Sequence, residues 1–151
     1  MNRVSLDWKT IEKDCKDLAH QINFCDVILA VGRGGFVPSV LLSHHLDCTV
    51  VNFGLKSYKD KQAGDIVVTQ PPGLLFNSNY REKKVVVVDD LSDKGQTLQY
   101  IKEYLDGHDF HLYRFATLYI KNSTKFVPTY FVKEFDENIW LDFPWETVKL
   151  D

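Results

Sequence analysis

The sequence contains few of the features that identify secreted, zinc-binding or membrane-spanning proteins. Its 151 residues include three cysteines, Cys15, Cys25 and Cys48, and these form no C-x-x-C pair. An odd number of widely spaced cysteines indicates neither a disulfide framework nor a zinc site. The sequence also lacks an apolar run long enough to cross a bilayer and the apolar stretch of a signal peptide. We therefore expect a cytoplasmic protein without membrane association.

An excess of positive charge is lacking as well. The net charge is −3 at pH 7, which gives no electrostatic reason to expect nucleic acid as a partner. A polyanionic ligand would therefore need a local basic site. The length and the 44% content of hydrophobic residues predict one domain with its own core, spanning residues 1–151.

What the sequence does contain is a central stretch, residues 84–98, that combines a strand, acidic residues and a helix start. Val85 to Val88 are β-branched and show no polar alternation, which predicts a strand buried on both faces of a parallel sheet. Asp89 and Asp90 follow at the sheet edge where open α/β sheets bind ligands. After Gly95, apolar residues at helical spacing predict a helix that ends near Gly107. A helix N-terminus after such a strand is an anion site, because its free N–H groups and its dipole both favour a phosphate.

The acidic residues around this predicted phosphate site admit two explanations. Any one of them could simply cap the strand or the helix. Three carboxylates together, Asp89, Asp90 and Asp93, indicate instead a ligand with hydroxyl groups, a metal ion or a proton to remove. A sugar phosphate with neighbouring hydroxyl groups would fit all three of these explanations.

The run VVVVDDLSDKGQT resembles the phosphoribosyl-pyrophosphate signature of the type I phosphoribosyltransferases. These enzymes replace the pyrophosphate on C1 of the ribose by a nitrogen base. The resemblance implies a Mg²⁺ ion near Asp89 and Asp90, and Asp93 as the catalytic group that takes the proton from purine N7. It implies a 5′-phosphate site formed by Asp93, Lys94, Gly95, Gln96 and Thr97. Lys94 stands where the family usually has Thr or Ser.

A second glycine-rich loop follows an earlier buried strand, Val27 to Val31. This loop, residues 32–35, is neither a GxGxxG nor a P-loop motif, but Arg33 lies between glycines and suits a diphosphate. Pro38 is expected to begin a helix that runs to about Leu46. The run from Arg33 to Pro38 is similar to one in xanthine-guanine phosphoribosyltransferases. This likeness implies a cis peptide at Gly32–Arg33 and a pyrophosphate site formed by Arg33, Gly34 and Gly35.

The connection at residues 56–82 is long and rich in Gly, Pro, Asn, Asp and Lys. It follows a strand predicted at residues 49–55, and Ile66 to Thr69 could form a short strand within it. A connection of this length is either disordered or a functional lid. Family members have a mobile loop here that opens with a Ser-Tyr pair, so the resemblance implies a lid beginning at Ser57 and Tyr58.

Base-binding residues are expected toward the end of the chain. Lys121 ends a strand predicted at residues 110–120 and is either a solubilising charge or a ligand-binding group. The aromatic stretch 138–146 is either a packed segment or a stacking platform for a flat base. It is similar to a segment of the xanthine-guanine enzymes, which implies a base-binding hood at residues 134–151. There Trp140 would stack on the purine, and backbone atoms near Leu141 would read its 2-position. In the 6-oxopurine enzymes a lysine matching Lys121 donates to purine O6.

Two further elements are predicted from periodicity. Apolar residues at helical spacing from Trp8 to Ile22 indicate an amphipathic helix with Asp7 as its N-cap. The last sheet strand is expected at Tyr130 to Val132.

Together these observations predict an α/β fold with a mainly parallel twisted sheet flanked by helices and a small C-terminal hood. The resemblance implies transfer of the phosphoribosyl group from phosphoribosyl pyrophosphate to guanine, xanthine or hypoxanthine, by a homodimer or homotetramer. Two alternatives remain. A phosphoribosyltransferase for another base would not need Lys121 or Trp140, and a non-catalytic regulator that binds phosphoribosyl pyrophosphate could keep the same fold. A Rossmann oxidoreductase is not indicated, since no GxGxxG follows a strand.

Overall fold

The computed structural model describes residues 2–57 and 65–146. Its strands and helices, in chain order, are β1 (Asn2–Ser5), α1 (Trp8–Ile22), β2 (Val27–Gly32), α2 (Phe36–Leu46), β3 (Thr49–Ser57), β4 (Ile66–Gln70), β5 (Val85–Ser92), α3 (Gln96–Gly107), β6 (Tyr113–Lys121), β7 (Lys133–Phe135) and β8 (Ile139–Asp142). Within these residues, no helix is both long enough and apolar enough to span a membrane.

The main sheet confirms the predicted mainly parallel α/β fold. In the described part of the chain it has six strands in the order β4-β3-β2-β5-β6-β7. Strands β3, β2, β5, β6 and β7 run parallel to one another, and the edge strand β4 pairs antiparallel with β3. The chain continues from β2 to one side of the sheet and from β5 to the other, so the strand order changes direction between these two strands.

The valines of β5 pack on both faces of the sheet, as predicted. Val86 and Val88 belong to a core cluster that includes residues of α1 and α2, whereas Val85 and Val87 belong to a second cluster with α3. All four side chains are at most 1% exposed. Continuous β-branched sequence is therefore explained by helices that cover both faces.

Helix α1 also confirms its prediction. The Asp7 carboxylate caps it by accepting a hydrogen bond from Thr10 N at 2.8 Å. Its buried face includes Ile11, Leu18 and Ile22.

Several element bounds differ from the predicted ones. Helix α2 begins at Phe36, so Pro38 lies within its first turn rather than at its first residue. A proline is tolerated there because the N–H groups of the first turn have no intrahelical partner, so no hydrogen bond is lost. Strand β5 continues to Ser92, since its pairing with β6 includes Asp89 with Thr117. Asp89 and Asp90 thus belong to the last part of this strand instead of following it. The strand predicted at residues 110–120 is β6, which begins at Tyr113 and includes Lys121, and β3 continues to Ser57.

The strand predicted at Tyr130 to Val132 is wrong in its position. Tyr130 forms an isolated bridge with Ala116, and Val132 N donates to Leu118 O at 2.9 Å. The segment therefore lies beside β6, but regular pairing begins only in β7, at Lys133.

The hood contains β8, which pairs in parallel with β1. Strand β1 was not predicted, because its mostly exposed residues show no alternation of apolar and polar side chains. Leu141 of β8 belongs to the core cluster of α1 and α2. The Trp145 ring lies 4.8 Å from the Phe143 ring and 6.0 Å from the Trp8 ring, so aromatic packing joins the hood to α1.

The lid predicted at residues 56–82 includes regular structure. Strand β4 pairs with β3, two 3₁₀ turns follow at Gly73–Phe76 and Ser78–Tyr80, and Leu75 is fully buried in the core. Tyr58 lies outside the described residues. The lid remains a prediction, and the pairing of β4 and the burial of Leu75 favour a shorter one than residues 56–82.

Candidate active site

The candidate site lies at the carboxyl ends of β2 and β5, where the strand order changes direction. The loop after β2 leads to α2, whose Leu42 packs in one core cluster, and the loop after β5 leads to α3, whose Leu98 packs in the other. Because these helices cover opposite faces of the sheet, the two loops diverge and leave a crevice between them. Open α/β sheets bind their ligands at this position.

The loop after β2 contains the predicted pyrophosphate residues. The Gly32–Arg33 peptide bond is cis, as the resemblance implied. A Cβ atom at Gly34 would lie 2.5 Å from Oδ2 of Asp90, and one at Gly35 would lie 2.4 Å from the carbonyl oxygen of Val88. Glycine is thus needed at both positions for the loop to approach the end of β5. The Arg33 side chain, which precedes them, is exposed.

Asp89 and Asp90 lie side by side and half-buried at the end of β5. Oδ1 of Asp89 accepts a hydrogen bond from the backbone N–H of Asp90 at 2.8 Å. Burial, and then the charge of Asp90, raise the pKa of Asp89, and burial raises the pKa of Asp90 to about 6. A cation bound here would offset both the desolvation and the mutual repulsion of the two carboxylates.

The loop after β5 presents the N-terminus of α3. Gly95 has φ +91° and is the N-cap residue, and no side chain forms a capping hydrogen bond. Asp93 and Lys94 are exposed. Helix capping therefore does not explain Asp93, and the first-turn N–H groups of α3 are available to an anion.

The loop after β5 is held by a segment that sequence reasoning did not identify. The Ser92 hydroxyl donates to Phe126 O at 2.8 Å and lies 2.9 Å from the Thr124 hydroxyl oxygen. Lys125 N donates to Lys94 O at 3.2 Å. These backbone and hydroxyl contacts join residues more than 30 positions apart in the sequence. No local sequence pattern predicts such contacts.

One cavity of about 270 Å³ joins the two loops. It brings together predicted residues from separate stretches, namely Gly34, Ser57, Asp89, Asp90 and Thr97. The other lining residues are Val31, Gly32, Leu55, Ile66 and Glu146.

Glu146, in the predicted hood, also lines the cavity, although no role there was predicted for it. Partial burial raises the pKa of Glu146, and the charge of Arg33 opposes that shift. The Glu146 charge in turn contributes to the raised pKa of Asp90. The hood therefore adds a third carboxylate near the aspartate pair and the arginine loop.

The predicted base-binding residues, Lys121, Trp140 and Leu141, are not among the residues that line this cavity. Lys121 is 5% exposed, and its ammonium group donates to the carbonyl oxygen of Ile139 in β8. Trp140 is 46% exposed, whereas the Leu141 side chain is buried in the core. Leu141 could therefore contact a base only through its backbone.

The donor atoms at the aspartate pair suit Mg²⁺. Across residues 2–57 and 65–146, no three His, Cys, Asp or Glu side chains lie close enough to form a complete metal site. Mg²⁺ does not require one, because it is commonly held by one or two carboxylates together with substrate phosphates and water. Asp89 and Asp90 supply such hard oxygen ligands beside a loop suited to phosphate.

Comparisons with known proteins agree with this geometry. The phosphoribosyl transferase domain family matches residues 6–151. A xanthine-guanine phosphoribosyltransferase of Cereibacter sphaeroides is 28% identical over 151 residues, covering 93% of this chain and 85% of the relative.

Solved structures give the same result. A purine phosphoribosyltransferase from Pyrococcus horikoshii has a TM-score of 0.85 at 34% identity, with 100% of this chain and 99% of that chain covered. A xanthine-guanine-hypoxanthine phosphoribosyltransferase from Helicobacter pylori has a TM-score of 0.82 at 26% identity, with 97% and 95% covered. The predicted family is thereby confirmed: this chain belongs to the purine phosphoribosyltransferases, which are transferase enzymes.

Proposed function

We propose that the protein transfers the phosphoribosyl group from phosphoribosyl pyrophosphate to a 6-oxopurine: guanine, xanthine or hypoxanthine. The purine N9 atom forms a bond to C1 of the ribose as the bond from C1 to pyrophosphate breaks. The products are a nucleoside 5′-monophosphate and pyrophosphate. The observation that carries the choice of base is Lys121, a buried ammonium donor at the end of β6 beside the hood strand.

Arg33 and the backbone N–H group of Gly34 bind the pyrophosphate. The N–H group of Gly35 instead donates to Val31 O at 2.7 Å, so Gly35 contributes by letting the loop pack closely against the end of β5. The guanidinium group supplies fixed positive charge, and Gly34 lets the backbone approach the ligand closely. Asp89 and Asp90 would hold Mg²⁺ or its water ligands, and the bound ion supplies charge neutralisation of the leaving pyrophosphate.

The 5′-phosphate binds at the N-terminus of α3. Residues 93–97 surround it, and the uncapped N–H groups together with the helix dipole favour its negative charge. Thr97 lines the cavity and supplies a hydroxyl donor. The hydrogen bonds from Ser92 and Lys125 keep this loop in place before the substrate arrives.

Asp93 accepts the proton that leaves purine N7 when the N9–C1 bond forms. Its carboxylate is exposed and does not cap α3, so it is free of that structural role. The transition state carries positive charge on the ribose, and no covalent enzyme intermediate is needed. Positioning of the two substrates and electrostatic stabilisation account for most of the rate increase.

The base binds between Lys121 and Trp140. The Lys121 ammonium group donates a hydrogen bond to purine O6, which an oxygen accepts and the amino group of adenine does not. Trp140 offers a half-exposed ring on which the purine stacks. Ser57 and Tyr58 begin a lid that keeps water from the reacting C1 atom.

The assay that tests this proposal measures nucleotide formation from guanine, xanthine, hypoxanthine and adenine, each with phosphoribosyl pyrophosphate and Mg²⁺. At least one 6-oxopurine should be converted and adenine should not. A preference for adenine would contradict the role of Lys121. Binding of phosphoribosyl pyrophosphate without turnover of any base would contradict the proposed reaction.

We also propose that the enzyme works as a homodimer or homotetramer. On helix α2, the Val40 side chain is 50% exposed, whereas Pro38, Ser39 and Leu42 are buried. An exposed apolar side chain on this helix favours an arrangement in which another copy covers it.

A further inference from the structure

Arg3, in the N-terminal strand, contacts the residue that the proposed function assigns to base stacking. Its guanidinium group forms a two-point ion pair with Asp142, with Nε to Oδ2 at 3.0 Å and Nη2 to Oδ1 at 2.7 Å. The same group lies over the Trp140 ring, with Cζ 5.8 Å from the ring centroid. One side chain of β1 thus contacts two side chains of β8.

The strand register explains this contact. Arg3 is the direct partner of Trp140 in the parallel pair of β1 and β8. Trp140 and Asp142 are two residues apart on β8, so their side chains lie on the same face of the strand. Leu141 between them has the opposite orientation and is buried in the core.

Asp142 holds the arginine beside the tryptophan. Its hydrogen bonds with Arg3 lower the pKa of the Asp142 carboxyl. The Asp142 side chain is 15% exposed, compared with 65% for Arg3. The partly shielded carboxylate therefore holds the more exposed guanidinium group in its position over the indole.

We propose that Arg3 is a positioning residue for the purine base. The inference rests on the proposed function, in which Trp140 stacks on the base. An indole that is half-exposed and unrestrained would lose rotational freedom when a base stacks on it, and this lost freedom weakens binding. Arg3 and Asp142 hold the ring before the base arrives, and the guanidinium group covers part of one face of the ring so that the opposite face receives the purine.

An exposed ion pair with no role in binding is the alternative, since such pairs contribute little to stability. The chain contains a suitable comparison, the pair Lys102–Asp106 on α3, whose side chains are 46% exposed and 2.8 Å apart. Lys102→Gln removes an exposed ion pair outside the base site, and it serves as the matched control for Arg3→Gln.

The test measures the KM for the base, the KM for phosphoribosyl pyrophosphate, kcat and Tm for Arg3→Gln, Arg3→Lys and Lys102→Gln. Arg3→Gln should raise the KM for the base about two- to tenfold and leave the KM for phosphoribosyl pyrophosphate unchanged. Arg3→Lys keeps the charge but loses the planar two-point contact, so its KM for the base should fall between those of wild type and Arg3→Gln. Lys102→Gln should change neither KM.

A second arm uses Trp140→Leu alone and together with Arg3→Gln. If Arg3 acts through the indole, Arg3→Gln should add nothing once the indole is gone. Fully additive effects would overturn the proposal, as would an unchanged KM for the base in Arg3→Gln, or a rise of both KM values together with a lower Tm.

The outcomes also separate this proposal from the proposed function. A raised KM for the base in Trp140→Leu but not in Arg3→Gln would agree with the proposed function and contradict the role of Arg3. If the wild-type enzyme prefers a base other than a 6-oxopurine, the substrate assignment fails and the same comparison is made with the preferred base. A wild-type protein that uses no base would overturn both.

Discussion

The carboxylate of Asp93 is the group whose loss should separate catalysis from binding. Asp93→Asn keeps the size of the side chain but removes most of its basicity, so the N7 proton has no acceptor. We expect kcat to fall by about 10²–10⁴ in steady-state assays. The affinity for phosphoribosyl pyrophosphate, measured by calorimetry, should remain close to that of wild type.

The control for this substitution is Asp17→Asn, which removes an exposed carboxylate from α1 outside the site. Its kcat should equal that of wild type. Near-normal turnover in Asp93→Asn would show that the loop needs no proton acceptor at this position.

Lys94 is the position at which the chain departs from the phosphoribosyltransferase pattern. Its side chain is exposed, and an exposed charge contributes at most about 1 kcal/mol to an interaction. Lys94→Thr should therefore change the KM for phosphoribosyl pyrophosphate by only a few-fold. A hundredfold rise in this KM, larger still at low salt, would mean that the ammonium group binds the phosphate directly.

At the scale of elements, the turn between β5 and α3 depends on Gly95. An alanine there would need φ +91° and would place its Cβ 2.7 Å from the backbone N of Phe126, which belongs to the segment that holds the loop. Gly95→Ala should lower the free energy of unfolding by about 1–3 kcal/mol and raise the KM for phosphoribosyl pyrophosphate, because the N–H groups of α3 are displaced.

Gly107→Ala is the matched control, since Gly107 ends the same helix and a Cβ there meets no atom within 4 Å. Chemical denaturation of both variants should show a loss of stability in Gly95→Ala and little change, or a small gain, in Gly107→Ala. Equal stability of the two variants would contradict the account of this turn.

Elements with a strong periodic pattern could be predicted from sequence, and elements made by distant pairing could not. Helix α1 and the buried part of β5 carry their own signal, because each must present apolar residues to a core. Strand β1 carries none, since its residues are mostly exposed and its strand conformation depends on β8. Strand β7 was misplaced by three residues because Tyr130 and Val132 lie along β6 without regular pairing.

The candidate site divides in the same way. Gly34, Asp89, Asp90 and Thr97 belong to short, ordered motifs, and the structure places all of them around one cavity. The contact of Glu146 with this cavity, and the support that Thr124 and Phe126 give to the loop after β5, depend on how the chain folds back. Hydrogen bonds between residues so far apart in sequence leave no local pattern to read.

At the scale of the whole molecule, the expected homodimer or homotetramer can be tested by measuring its mass in solution. The mass of one chain is 17.5 kDa, and light scattering coupled to size exclusion should give two or four times that value. The exposed Val40 side chain of α2 is the physical reason, since contact between copies would remove it from water. A particle of single-chain mass at the concentration used for activity assays would contradict the expectation.

The parallel pairing of β1 with β8 also has a consequence for synthesis on the ribosome. Asn2 leaves the exit tunnel early, but its partner Ile139 is added only after the rest of the described sheet has been made. The main sheet can therefore begin to pack while β1 still lacks a partner, and pairing of β1 with β8 must follow synthesis of the main sheet. A nascent chain halted before residue 139 would contain both loops that are proposed to bind phosphate but would lack Trp140, which is proposed to stack on the base.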